Sequence, residues 1–113
     1  MEYTSDLLWK EPYHTIMKRL GRGAENAIPR RDLITITNLK DRELRKSVET
    51  MRRAGLPIVS CNRGYFIPDN MEELRQFVRR EEKRARSTFF TLKAARKALK
   101  ELEQKKGERL TDG

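Results

Sequence analysis

Cysteine and histidine are almost missing from this chain. One of each occurs, Cys61 and His14, far apart in sequence. A single cysteine cannot close an internal disulfide, and a metal centre needs several more soft ligands. No stretch approaches the roughly 20 apolar residues that span a bilayer. The N-terminus, MEYTSDLLWKEPYH, lacks the basic-then-apolar layout of a signal peptide, which leads us to expect a cytoplasmic protein. There is no glycine-rich phosphate loop and no nucleophile with a base one helical turn away. There is also no carboxylate pair framed by apolar residues. Nothing in the sequence points to an enzyme, a cofactor or a small-molecule ligand.

Positive charge is what the chain has in excess. The 113 residues carry 26 Lys and Arg against 17 Asp and Glu, a net +9, with a pI near 10.1. A basic domain of this size suits a polyanionic partner, most often nucleic acid. Surplus Lys and Arg can also serve solubility alone, so the placement of the charge decides.

Pro12 suits the first turn of a helix, and Ile16, Met17 and Leu20 then share one face. The expected first helix is 12–20, ended by Gly21 and Gly23, after a loose lead-in over 1–11 with Leu7, Leu8 and Trp9 as a docking patch. Ala27-Ile28 reads as a very short extended segment before Pro29. A second helix is expected over 29–36, although the run Ile34-Thr35-Ile36-Thr37 is β-branched and would also suit a strand. Next comes KDRELRKSVETMRRAG, where Leu44, Val48 and Met51 form one apolar stripe. Gly55 stops this third helix, expected over 40–54. Its six basic residues against three acidic ones leave it at +3.

The stretch PIVSCNRGYFIP (57–68) carries Asn and Gly between two short apolar runs, which is hairpin-turn chemistry. Of the rings at Tyr65 and Phe66, one is expected in the core and one on the surface. Asn70 and Glu73 then form a capping-box pattern, and no Gly or Pro occurs between 71 and 106. A long helix is expected there, with Ser87-Thr88 as the place for a kink or a division into two helices. Its 12 basic residues against 6 acidic ones leave it at +6. Its apolar stripe suits packing on its own domain over 71–86 and a homodimer or partner contact over 89–102, although Glu81 interrupts the seam. A solvated helical extension is the plainer alternative. The segment 107–113 reads as a disordered tail.

The fold class expected is mainly α with a small β-hairpin: a winged helix-turn-helix over 12–68, then a long basic C-terminal helix or helix pair over 69–106. The segment from Ile28 to Pro68 resembles the winged helix-turn-helix at the start of biotin-repressor-type regulators. The likeness lies in Arg52-Arg53-Ala54-Gly55 at the end of the recognition helix, Pro57-Ile58 opening the wing and Gly64-Tyr65 opening its second strand. It implies a double-stranded DNA partner. Two departures stand out: Ile-Thr-Ile-Thr replaces Ala-rich packing in the second helix, and no ligand-binding or catalytic domain follows. Biotin-linked activity is therefore not implied.

With Leu44, Val48 and Met51 inward, Arg42, Arg45, Lys46 and Glu49 point outward. Arg suits guanine O6/N7, and Glu can accept from cytosine N4. Arg42, Arg45 and Lys46 are candidate groove contacts, with Arg52 and Arg53 on phosphates. Lys40, Arg30 and Arg31 are candidate phosphate clamps, and Arg63 at the hairpin tip a backbone or minor-groove contact. The competing reading is a solvated helix face paired through Asp41–Arg45 and Glu49–Arg53. The functional expectation is a small transcriptional regulator or a phage or mobile-element DNA accessory protein. A winged-helix adaptor for proteins, or an RNA-binding module using the basic helix, is the alternative.

Overall fold

The computed structural model describes residues 6–111, and side chains as far as Gly107. Its elements are α1 (Tyr13–Arg19), a 3-10 turn (Ala24–Asn26), α2 (Arg30–Thr37) and α3 (Asp41–Arg53). After these come β1 (Val59–Cys61), β2 (Gly64–Phe66) and α4 (Met71–Thr111). This is the winged helix-turn-helix order with a long C-terminal helix. The chain divides into two compact units at Phe77/Val78. No helix among the described residues is long and apolar enough to cross a membrane.

The first unit is built on one apolar cluster. Each helix contributes the residues its spacing predicts: Ile16 from α1, Leu33 from α2, and Leu44, Val48 and Met51 from α3, all at most 1% exposed. Leu56, Ile58 and Tyr65 complete it from the hairpin side. Leu7 and Leu8 also pack on this cluster, while Trp9 stays exposed. The expected docking patch is thus seated through Leu7 and Leu8 but not Trp9, and the lead-in is not loose there, since residues 6–8 are helical. His14 Nδ1 lies 3.1 Å from the Leu8 carbonyl, which ties this segment to α1.

The β-branched run in α2 is helical, not a strand. Leu33 is fully buried, and the hydroxyls of Thr35 and Thr37 donate to the Arg31 and Leu33 carbonyls one turn back. Tertiary burial outweighs the few tenths of a kcal/mol per residue that branching costs. Asn38 closes α2 in the left-handed region (φ 57°), which Asn tolerates. The turn to α3 is therefore only three residues long, Asn38 to Lys40. At the far end of α3, Gly55 N–H donates to Arg52 O and Leu56 N–H to Met51 O. This is a Schellman arrangement, and its apolar contact pairs the buried Leu56 and Met51.

The hairpin is short but not alone. Val59 faces Phe66 and Cys61 faces Gly64. On the other edge of β2, Ile28 and Tyr65 exchange two N–H···O bonds of 2.9 Å each. The extended segment expected at Ala27-Ile28 thus acts as a third strand one residue wide. Both Tyr65 and Phe66 are buried, against the expectation of one surface ring. Tyr65 joins the main cluster, and Phe66 is covered opposite Val59.

Glu73 holds the start of α4. Glu73 N–H donates to Asn70 Oδ1 at 2.9 Å, as the capping pattern predicts. Its carboxylate accepts instead from Asp69 N–H (2.8 Å) and from Ala24 N–H (2.9 Å), 49 residues away. From there α4 runs as one helix to Thr111, undivided at Ser87-Thr88 and past the expected end near Lys106. One serine, one threonine and the lone Gly107 each cost a helix about 1 kcal/mol or less, too little to break it. Of the expected disordered tail, 107–111 is therefore helical, and 112–113 lie outside the described residues.

Gly64 is the least replaceable hairpin residue. Its φ is 134°, and a Cβ there would overlap the Ile28 carbonyl. Gly64→Ala is expected to cost about 2–3 kcal/mol, read as a lower urea midpoint at unchanged m-value. Glu73 supplies a pH signature. The Asp69 and Ala24 N–H groups hold its carboxyl below the usual carboxylate range. The stability it contributes is fully present above the unfolded value of about 4.3 and is lost as pH falls through the lower folded value. Gln offers one acceptor oxygen where Glu offers two. Glu73→Gln is therefore expected to destabilise at pH 7, with the gap to the natural chain closing below that range in urea titrations at stepped pH.

Candidate functional site

α3 sorts its side chains by angle. At about 100° per residue, Leu44, Val48 and Met51 fall in one arc and Arg42, Arg45, Lys46, Glu49 and Arg53 in another, roughly opposite. All five of the latter are exposed. The outer face therefore presents four cations and one carboxylate, and the buried core takes nothing from it.

Asp41 organises the start of this face. Its carboxylate meets Arg30 Nε at 2.7 Å and Arg45 Nε at 3.2 Å. Arg30, at the first turn of α2, and Arg45, on the outer face of α3, are thereby linked through one acid. Exposed pairs of this kind contribute about 0–1 kcal/mol to stability, so the consequence is orientation of two guanidinium groups. The Asp41–Arg45 pair follows from i,i+4 spacing. The Arg30–Asp41 contact is missed by sequence reasoning, because nothing local joins residues 30 and 41. Arg53 pairs with Glu49 at 2.7 Å, as its spacing predicts.

A second group of predicted residues gathers at the hairpin tip. Arg30, Arg31 and Arg63 line one open groove of about 640 Å³, together with Ile34, Asp41 and Cys61. The Ile28–Tyr65 bridge accounts for this. It fixes β2 beside the residue that precedes Pro29, so the tip comes to lie against the start of α2. Asp41 also belongs to the α3 network, so the groove and the outer face of α3 share a border.

Lys40 is exposed at the N-cap of α3, where its N–H donates to Glu43 at 3.0 Å. Glu43 and Asp41 load the first turn with acid, and Arg52 and Arg53 the last turn with base, in the sense the helix dipole favours.

Arg52 does not belong with the others. Its Nε donates to the Ile58 carbonyl at 2.7 Å, and its guanidinium lies 4.7 Å from the Phe77 ring centroid and 6.0 Å from that of Tyr65. It is half-buried. The expected phosphate contact is here an internal tie between α3, the hairpin and the first turns of α4. The helical angle shows why: Arg52 falls on the flank of α3, between the apolar stripe and the outer arc. Sequence reasoning could have used that angle against the phosphate assignment.

Cys61 is a half-buried thiol at the groove edge. Among the described residues, no group of three or more His, Cys, Asp or Glu side chains could hold a metal ion. No family model, curated protein or solved structure matches the chain.

Arg52→Ala is expected to cost about 1–2 kcal/mol in stability through the lost charged hydrogen bond and ring contact. Arg42→Ala is expected to stay within about 0.5 kcal/mol of the natural chain. Thermal or urea unfolding of the two variants side by side reads the difference.

Proposed function

We propose that this chain binds double-stranded DNA, with α3 in the major groove and the hairpin as a wing against the backbone or minor groove. The observation that carries this reading is the outer face of α3. It places Arg42, Arg45, Lys46 and Arg53 on one exposed arc from which the buried core takes nothing. A helix of this size fits the major groove, and Arg and Lys are the side chains suited to guanine edges. Glu49 in the same arc would discriminate among bases more than it would add affinity. Arg30, Arg31 and Arg63 around the adjoining groove supply phosphate contacts, with Lys40 beside them.

Asp41 has a defined part in this reading. An acid at the start of a DNA-facing helix would repel phosphates, and here two arginines neutralise it. It holds Arg30 for the backbone and Arg45 for the groove. The chemistry fits a small cytoplasmic regulator, or an accessory protein of a compact genome such as a phage.

The test is a salt titration against random duplexes and against duplexes selected from a random pool. Arg42→Ala and Arg45→Ala are expected to lose about tenfold to a hundredfold on the selected site. Arg31→Ala and Arg63→Ala are expected to weaken all duplexes alike and to lower the salt slope by about one each. Asp41→Asn is expected to retain affinity for random DNA and to narrow the gap between selected and random sites. Unchanged affinity in Arg45→Glu/Lys46→Glu would overturn the placement of α3. Equal, weak binding to every duplex at ordinary salt would overturn the function.

A further inference from the structure

From Val78 onward α4 carries large apolar side chains in the open. Phe89, Leu99 and Leu102 are 60%, 57% and 63% exposed. Leu99 and Leu102 belong to a strict alternation of three and four residues, which Phe89 flanks: Met71, Leu74, Val78, Glu81, Ala85, Thr88, then Leu92, Ala95, Leu99 and Leu102. Such a repeat places its members along one seam when two helices supercoil. The helix's basic residues lie mostly elsewhere. Arg79, Lys83, Arg86, Lys93, Lys97 and Lys100 occupy positions away from the seam, where counterions screen them over about 8 Å. The sequence pattern alone leaves partner and direction open.

We propose that the partner is a second copy of this chain, and that the two α4 helices pair antiparallel about a two-fold axis at Phe89. The charges flanking the seam select this arrangement. The flanking positions on one side are Arg75, Glu82, Phe89, Arg96 and Glu103. In the antiparallel register centred on Phe89, Glu82 of each copy faces Arg96 of the other. The two Phe89 rings meet on the axis, and Arg75 facing Glu103 continues the series. Two-fold symmetry repeats each pair, which gives four opposite-charge contacts. The seam layers are then Val78 on Leu102, Ala85 on Ala95, Thr88 on Leu92 and Glu81 on Leu99.

The alternatives lack this match. A slip of one heptad sets Arg75 against Arg96 in one direction and Glu82 against Glu103 in the other, both repulsive. A parallel pair sets Arg84 against Phe89, Thr91 against Arg96 and Ala98 against Glu103, with no opposite charges. Flanking charges are what set the direction and register of paired helices. A long solvated helix also draws most of its stability from an apolar partner, and a second copy supplies one.

The experiment uses the full chain without DNA, so its result is independent of the proposed DNA binding. The native chain is expected to show the mass of a dimer in sedimentation at tens of micromolar. In a Cys61→Ser background, a Val78→Cys chain mixed with a Leu102→Cys chain is expected to give a disulfide-linked dimer under mild oxidation, and neither chain alone is. Glu82→Arg is expected to weaken the dimer about tenfold, because two attractive contacts become repulsive, and Glu82→Arg/Arg96→Glu to restore it. A monomeric mass would overturn the proposal. So would self-crosslinking of either single-cysteine chain, or a Glu82→Arg dimer as tight as the natural one.

Discussion

The exchange of two hydrogen bonds between Ile28 and Tyr65 is the contact on which the first unit's geometry depends. A two-residue turn joining strands of three residues is marginal alone in water. Giving β2 a second neighbour, even one residue wide, anchors the hairpin to the chain that leads into α2. Gly64 makes the approach possible, because any side chain there would meet the Ile28 carbonyl. Tyr65 can then enter the helical core, and the hairpin tip comes to rest beside Arg30 and Arg31.

A different kind of contact closes the other side of the unit. Arg52 reaches from the flank of α3 to the Ile58 carbonyl and the Phe77 ring, and Glu73 reaches from α4 to Ala24. Both charged side chains are engaged with backbone groups of distant segments. They set where α3, the hairpin and the start of α4 meet, which apolar contact alone specifies less sharply.

Most of the fold was legible in the sequence because it rests on local periodicity and stop signals. Leu44, Val48 and Met51 mark the inner face of α3, Gly55 its end, and Asn70 the start of α4. The β-branched run in α2 was ambiguous locally, and burial of Leu33 resolved it as helix. What could not be read comes from contacts between distant residues: Arg30 with Asp41, Arg52 with Phe77, and Glu73 with Ala24. The candidate site divides along the same line. Residues placed by the angle of one helix, such as Arg42 and Lys46, are where their spacing puts them. The grouping of Arg30, Arg31 and Arg63 needed the tertiary pairing of Ile28 with Tyr65. The long helix shows the limit of stop signals, since neither Ser87-Thr88 nor Gly107 interrupts it.

The outer arc of α3 carries a consequence for how such a molecule can change. Its side chains are solvent-exposed, while Leu44, Val48, Met51 and the Schellman turn hold the helix from the other side. Arg42 and Lys46 can therefore be exchanged without disturbing the scaffold, and Glu49 at the loss of only its exposed pair with Arg53. Arg45 adds only the exposed Asp41 contact. The proposed recognition surface and the stability of the domain are encoded at separate positions of one helix. Selection, or an engineer, can retarget the first while leaving the second untouched.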